Sequence, residues 1–390
     1  MSLIKFVDGC VIFDSRGDKT IEITVKLDNG KSVFASVPHG KSRGSFEAQE
    51  MEPEQAVDNI KNFIKSAITG LNPLNQKEID DEMIKIDGTP NKSKLGANAI
   101  LGVSLACAKA GAVTKGLPLW RHLRNIYGGE GKPKHSPRLF ANIINGGLHA
   151  KNELLFQEYI VIPKSHNASK SLEIIRKIYN ATKNILDATG RGEDIGDEGG
   201  FAPVFKNYFE PFEILKQAVN ETGLNGEIDF GLDAAANNIN IGEKELFLAY
   251  EKMKNNYNLR YLEDPFSEDD FDKFASLLFK FRNDITVAGD DLTVTNPERM
   301  KNAKETNSIN GIIIKPNQIG TISETINAIK QAKDWGWLVV VSHRSGETMD
   351  DFIADLAFAV EADGLKAGAP FQKERLAKYE RLAMIENKGY

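Results

Sequence analysis

The feature that most restricts how this chain can fold is a rhythm in its second half. Short apolar, β-branched runs recur at 228–232, 259–262, 285–288, 311–314 and 338–341. Each ends at an ionisable residue: Asp233, Glu263, Asp290, Lys315 and His343, with a weaker sixth run, Gly364-Leu365, ending at Lys366. These residues are spaced 30, 27, 25, 28 and 23 positions apart, roughly one strand plus one helix per step. Strands that are apolar along their whole length are buried on both faces, which implies a parallel sheet covered by helices. About 250 residues follow position 138, the usual size of a (β/α)₈ barrel, which gathers its chemistry at the C-terminal ends of its strands.

The first part of the chain reads differently. β-rich runs at 4–13, 20–27 and 31–37 are separated by Asp14-Ser15-Arg16-Gly17 and Asp28-Asn29-Gly30. Asn-Gly supplies the positive φ angles of a tight hairpin. Helical periodicity follows at 53–68, 75–86 and 95–115, the last rich in Ala and Leu and expected to be buried. The expected architecture is therefore α/β: an N-terminal α+β domain over 1–127 (a three-stranded sheet plus helices), a Gly-rich linker over 128–138, and a TIM-like (β/α)₈-type barrel over 139–390.

Composition narrows the partners. With 49 basic and 55 acidic residues the formal charge is −6, so a phosphate backbone is repelled and nucleic acid is not an expected partner. Cys10 and Cys107 are the only cysteines, as expected of a reducing, cytoplasmic setting. No apolar run is read as reaching the roughly 18 residues of a membrane span, and no signal peptide is read at the start.

A barrel would bring Asp233, Glu263 and Asp290, on three successive strands, to one rim. Three bare carboxylates repel, and a divalent cation relieves that repulsion. With oxygen donors and no His or Cys at those strand ends, Mg²⁺ is favoured over zinc or copper. Two plainer alternatives remain: Asp233 taken alone reads more readily as a helix cap, and the three acids could be an ion-pair cluster with nearby lysines. For Lys315 to act as a base, its pKa must fall from near 10.4 to about 7, roughly 4 kcal/mol. A doubly charged ion about 6 Å away, at an effective dielectric of about 20, contributes roughly 5 kcal/mol.

Elsewhere, Gly196-Asp197-Glu198-Gly199-Gly200 presents an acid on a turn that can approach a ligand closely. His149 and the pair Gln157-Glu158 sit early in the barrel, where such residues are more often structural. Ser342-His343-Arg344-Ser345-Gly346-Glu347-Thr348 combines an arginine and hydroxyls at a strand-to-helix turn, which makes a good phosphate cradle.

These blocks, with Phe13-Asp14-Ser15-Arg16-Gly17, Asn91-Lys92-Ser93-Lys94-Leu95-Gly96-Ala97-Asn98-Ala99, Glu263-Asp264-Pro265-Phe266 and Gly289-Asp290-Asp291-Leu292, occur in the order found in the enolase family, which the chain resembles almost end to end. The resemblance implies reversible dehydration of 2-phosphoglycerate to phosphoenolpyruvate. It implies Lys315 as proton acceptor and Glu198 as proton donor, with Asp233, Glu263 and Asp290 holding one Mg²⁺. Lys366 would contact the substrate carboxylate, Arg344 and Ser345 its phosphate, and His149, Gln157, Glu158 and His343 would line the pocket. Ser42 would help to hold a second Mg²⁺ that arrives with substrate, and the protein would be a homodimer or larger homo-oligomer. The lid segment His39-Gly40-Lys41-Ser42-Arg43-Gly44 departs from the family's Ser-Gly-Ala-Ser-Thr-Gly, adding bulk and positive charge beside a phosphorylated substrate. Two other functions compete: a related dehydratase for a different hydroxy acid, which would have little use for Arg344, and a non-catalytic binding protein, which would not need both Lys315 and Glu198.

Overall fold

The computed structural model describes residues 2–40 and 44–388. Strands β1 (Ile4–Phe13), β2 (Lys19–Leu27) and β3 (Ser32–Ser36) form an antiparallel sheet in the order β1-β2-β3. The Asp28-Asn29-Gly30 turn closes as its sequence requires, with Gly30 at φ 88° and the Leu27 amide donating to the Lys31 carbonyl at 2.8 Å. At the other hairpin, Asp14 Oδ1 accepts from the amides of Arg16 (2.8 Å) and Asp18 (3.0 Å) and fixes the turn.

The helix Ala97–Lys115 packs on this sheet, and Gln76–Asp87 packs on that helix. Ala97–Lys115 corrects one expectation. By length and composition it is apolar enough to cross a membrane, although most of it is buried inside the protein. Its apolar face all round suits a core helix that touches sheet on one side and helices on the other. A helix that the sequence pattern did not reveal, Leu119–Tyr127, follows it. Its support is remote in sequence: the Trp120 amide donates to Asp355 Oδ1 at 2.9 Å, and the Trp120 ring meets Phe358 edge-on at 5.3 Å. The next stretch is tied down by Arg124, which donates to the carbonyls of Glu130, Gly131 and Ala359.

Eight strands close the barrel: β4 (Arg138–Asn145), β5 (Glu158–Pro163), β6 (Ile228–Asp233), β7 (Leu259–Glu263), β8 (Thr286–Gly289), β9 (Gly311–Ile314), β10 (Leu338–Ser342) and β11 (Gly364–Lys366). The runs that ended at ionisable residues are strands β6 to β11. One feature differs from an all-parallel barrel: β5 runs antiparallel to both β4 and β6. Between β4 and β5 the chain makes a short loop instead of a crossover helix, so β5 must return in the opposite sense. The reversal places the first residue of β5, Glu158, at the rim where the other strands end. Inside, Phe140, Ile160, Ile162, Tyr261, Ala288, Ile313 and Val340 form a separate apolar plug, so the barrel interior is filled and the ionisable strand ends lie at its rim.

Candidate active site

Strand register places the acids. Glu158 pairs across with Asp233, and Asp233 with Glu263, so three carboxylates stand side by side on β5, β6 and β7. Lys366, at the end of β11, binds all three: its Nζ lies 3.2 Å from Glu158 Oε2, 3.0 Å from Asp233 Oδ2 and 2.8 Å from Glu263 Oε1. All four side chains are buried. Burial, then the Asp233 charge, pushes the Glu263 carboxyl up to about 8. Burial works against the Lys366 ammonium, yet Asp233, Glu158 and Glu263 together hold its pKa well above the usual lysine value. Glu263 also accepts from the Tyr261 hydroxyl at 2.8 Å, and Asp233 from the Ala235 amide at 3.1 Å.

Asp290, just beyond β8, forms an ion pair with Lys315 and accepts from Gln318 Nε2 at 2.9 Å. Burial favours the neutral amine at Lys315, but the Asp290 carboxylate outweighs it and raises the pKa. In this arrangement Lys315 is therefore a paired ammonium. Asp264, which the sequence reading did not assign to the site, accepts from the amides of Asp290 (3.0 Å) and Asp291 (2.7 Å) and fixes the loop that carries Asp290. Burial and the neighbouring Asp291 push its carboxyl far up, and burial with Asp290 raises Asp291 to about 7.

Across from the lysines stands Glu198. Its segment is pinned along β4, where the Asn145 amide donates to the Phe201 carbonyl and the Phe201 amide to that of Ile143, both at 2.9 Å. Glu198 Oε2 accepts from Asn142 Nδ2 at 2.9 Å, while Oε1 faces His149 Nδ1 at 3.5 Å and His343 Nε2 at 3.6 Å. Burial alone would raise Glu198, but His149, His343, Arg375 and Lys366 overcome it and hold the carboxyl well below the usual range. Glu158 moves the other way, raised by burial and by the charge of Glu198. His149, Glu158 and Glu198 place donor atoms within 4.8 Å of one another, so the two carboxyls have their proton affinities split by position.

The turn that the sequence offers as a phosphate cradle, residues 342–348, follows β10 at the same rim. Arg344 is buried and binds both oxygens of Glu47, at 2.8 and 3.3 Å. A Cβ on Gly40 would lie 1.9 Å from the Arg344 guanidinium, so a larger residue there would push that guanidinium aside. Ser345 Oγ accepts from Arg16 at 3.2 Å. His39 meets Glu50 through Nδ1 at 3.0 Å, and its backbone bridges to Gly346. Ser42, like Lys41 and Arg43, lies outside the described residues.

His149, Gln157, Glu158, Glu198, Asp233, Asp290, Lys315, His343, Arg344, Ser345 and Lys366 line one cavity of about 40 Å³, enough for a few waters. Glu263 is wholly buried and joins the group through Lys366. The donors on the acidic side are all oxygens, which suits a hard divalent cation; those of Asp264, Asp290 and Asp291 lie within 4.8 Å of one another, a set that shares only Asp290 with the three acids expected from the sequence.

The family profile of the enolase N-terminal domain matches residues 4–123, and that of the enolase C-terminal TIM barrel domain matches 134–245 and 237–389. The chain belongs to the enolase family. Enolase 2 of Hevea brasiliensis is 38% identical over 418 residues, covering 96% of this chain and 93% of the relative. Enolase of Solanum lycopersicum is 37% identical over 429 residues, covering 99% and 95%. As an enolase the protein is a hydro-lyase that interconverts 2-phosphoglycerate and phosphoenolpyruvate, and the family implies a divalent metal. Sequence reasoning passed over Glu47, Asn142, Asp264 and Arg375. Asp264 adjoins Glu263 in a quoted block, whereas Arg375 sits in an ordinary charged helix and carried no signal.

Proposed function

We propose that Lys315 takes the proton from C2 of 2-phosphoglycerate and that Glu198 gives a proton to the C3 hydroxyl, which leaves as water. The arrangement of one cavity supports this: lysines paired with rim carboxylates on one side, and on the other Glu198, faced by His149 and His343. To act, Lys315 releases Asp290 and gives up its ammonium proton. Lys366 binds the substrate carboxylate, and Arg344 with Ser345 binds the phosphate, which replaces the Glu47 carboxylate on the guanidinium. His149, Gln157 and His343 close the walls around the reacting carbons. Asp233, Glu263 and Asp290 are the residues that would hold Mg²⁺, whose positive charge offsets the negative charge growing on the substrate carboxylate and weakens the hold of Lys315 on its proton. Ser42 would help to hold a second Mg²⁺ bound together with substrate.

The boundaries proposed are an N-terminal domain over 1–127, a connecting segment over 128–138 and the barrel from 139 onward. The family resemblance supports a homodimer or larger homo-oligomer, and Phe13 and Phe34 offer exposed apolar surface on the N-terminal sheet for a second copy. Two free cysteines are in keeping with a cytoplasmic location. The test of the chemistry is purified protein with 2-phosphoglycerate and Mg²⁺, followed by the ultraviolet absorbance of the enol product. Robust conversion that collapses in Lys315→Ala is expected; undiminished conversion by that variant refutes the assignment.

A further inference from the structure

Arg375 is an unusual side chain. It lies three residues into the helix Lys373–Lys388 and is fully buried, yet it has no carboxylate partner among the contacts described. Its guanidinium nitrogens instead bind the Nδ1 atom of His343 (2.6 Å) and the carbonyl oxygens of Arg344, Ser345 and Asp197. Those partners belong to the two segments that carry Glu198 and the phosphate cradle. A Cβ on Gly368 would sit 2.9 Å from the Glu198 carbonyl, 3.1 Å from Arg375 Cδ and 3.2 Å from His343 Cε1, so the three segments meet without spare room.

An arginine has only donors and does not lose its proton at any ordinary pH. Whatever nitrogen it touches must offer a lone pair. His343 Nδ1 is therefore the acceptor, and a neutral His343 must carry its proton on Nε2, the atom that faces Glu198 Oε1 at 3.6 Å. The neutral form is the one favoured, since burial drives His343 well below the usual histidine pKa against the pull of Glu198. The other tautomer would turn a lone pair toward a carboxylate and leave two donors facing each other at Nδ1.

We propose that Arg375 is a positioning residue for the dehydration: by binding His343 Nδ1 it fixes the Nε2–H tautomer and aims that N–H at Glu198. The inference rests on the role of Glu198 given above. When Glu198 has passed its proton to the departing hydroxyl, the C3–O bond is broken, water has formed, and the new carboxylate gains a second N–H donor beside Asn142. The guanidinium bonds to the Asp197, Arg344 and Ser345 carbonyls keep the donor and the phosphate cradle at a fixed separation, and misplacement by about 1 Å can cost about 100-fold in rate.

The test is ¹⁵N NMR of the intact protein labelled at its 6 histidines, with the His343 signals assigned by their loss in His343→Gln, combined with steady-state kinetics. In the wild type, the His343 shifts should report a single neutral tautomer with Nδ1 unprotonated. Arg375→Lys keeps one donor for Nδ1, and should keep that signature and lose about tenfold or less in kcat. Arg375→Met should give mixed tautomers and lose about 100-fold. A protonated Nδ1 in the wild type, or Arg375→Met within about threefold of the wild-type kcat, overturns the proposal. If Arg375→Met does not fold, the wild-type and Arg375→Lys spectra decide by the same criterion. Wild-type protein that shows the tautomer but no turnover would count against the role of Glu198, not against the pairing.

Discussion

His122 offers a sharp test of the energetics of the N-terminal half. It lies on the helix Leu119–Tyr127, is 1% exposed, and neither ring nitrogen has a hydrogen-bond partner in the described structure. Burial, with a smaller contribution from Lys115, lowers its pKa to about 4 from an ordinary value of 6.5. A depressed value in the folded state means that the unfolded chain takes up the proton first. The stability is thus fully present above pH 6.5 and drains away as pH falls toward 4. The total is about 3 kcal/mol, of which about 2 kcal/mol is lost by pH 5. His122→Leu removes this titration and leaves the other ionisable groups in place. Hydrogen exchange of the amides in 119–127 should therefore show the gap between variant and wild type changing by about 2 kcal/mol, in favour of the variant, from pH 7.5 to pH 5. A gap that stays constant, or moves the other way, would refute the reasoning.

Other outcomes follow from the site. Lys366→Met strands three buried carboxylates and should cost the metal-free protein about 3–5 kcal/mol, measured by denaturant melts in chelator. Millimolar Mg²⁺ should restore part of that stability; an unchanged midpoint would sink the ion-pair account. Chelation of the wild type should abolish turnover, with recovery on adding Mg²⁺. Arg344→Lys keeps the charge but loses the forked pair of donors, and should raise the KM for 2-phosphoglycerate by about 10- to 100-fold. An unchanged KM would mean that the phosphate binds elsewhere.

Much of this architecture was legible because local pattern and tertiary role coincide. The apolar runs ending at Asp233, Glu263, Lys315 and Lys366 are buried strands whose last residues reach the rim. Periodicity carries that information directly. What it does not carry is direction or distant support. The reversal of β5 depends on a loop without a crossover helix, and Glu158 is at the rim only because of it. The helix Leu119–Tyr127 owes its capping to Asp355, more than two hundred residues away. The same Ala/Leu-rich composition that marked Ala97–Lys115 as a core helix also satisfies the length and apolarity of a membrane span, and only packing tells them apart. Asp264 and Arg375 matter through bonds to backbone groups, which no residue-type pattern encodes.

The central claim is a division of labour between Lys315 at C2 and Glu198 at C3. Exchange of the C2 hydrogen of 2-phosphoglycerate with solvent deuterium, followed by proton NMR beside product formation, separates the two. Glu198→Gln should keep exchanging that hydrogen while forming little phosphoenolpyruvate, and Lys315→Ala should do neither. Wild-type exchange by Lys315→Ala would contradict the account.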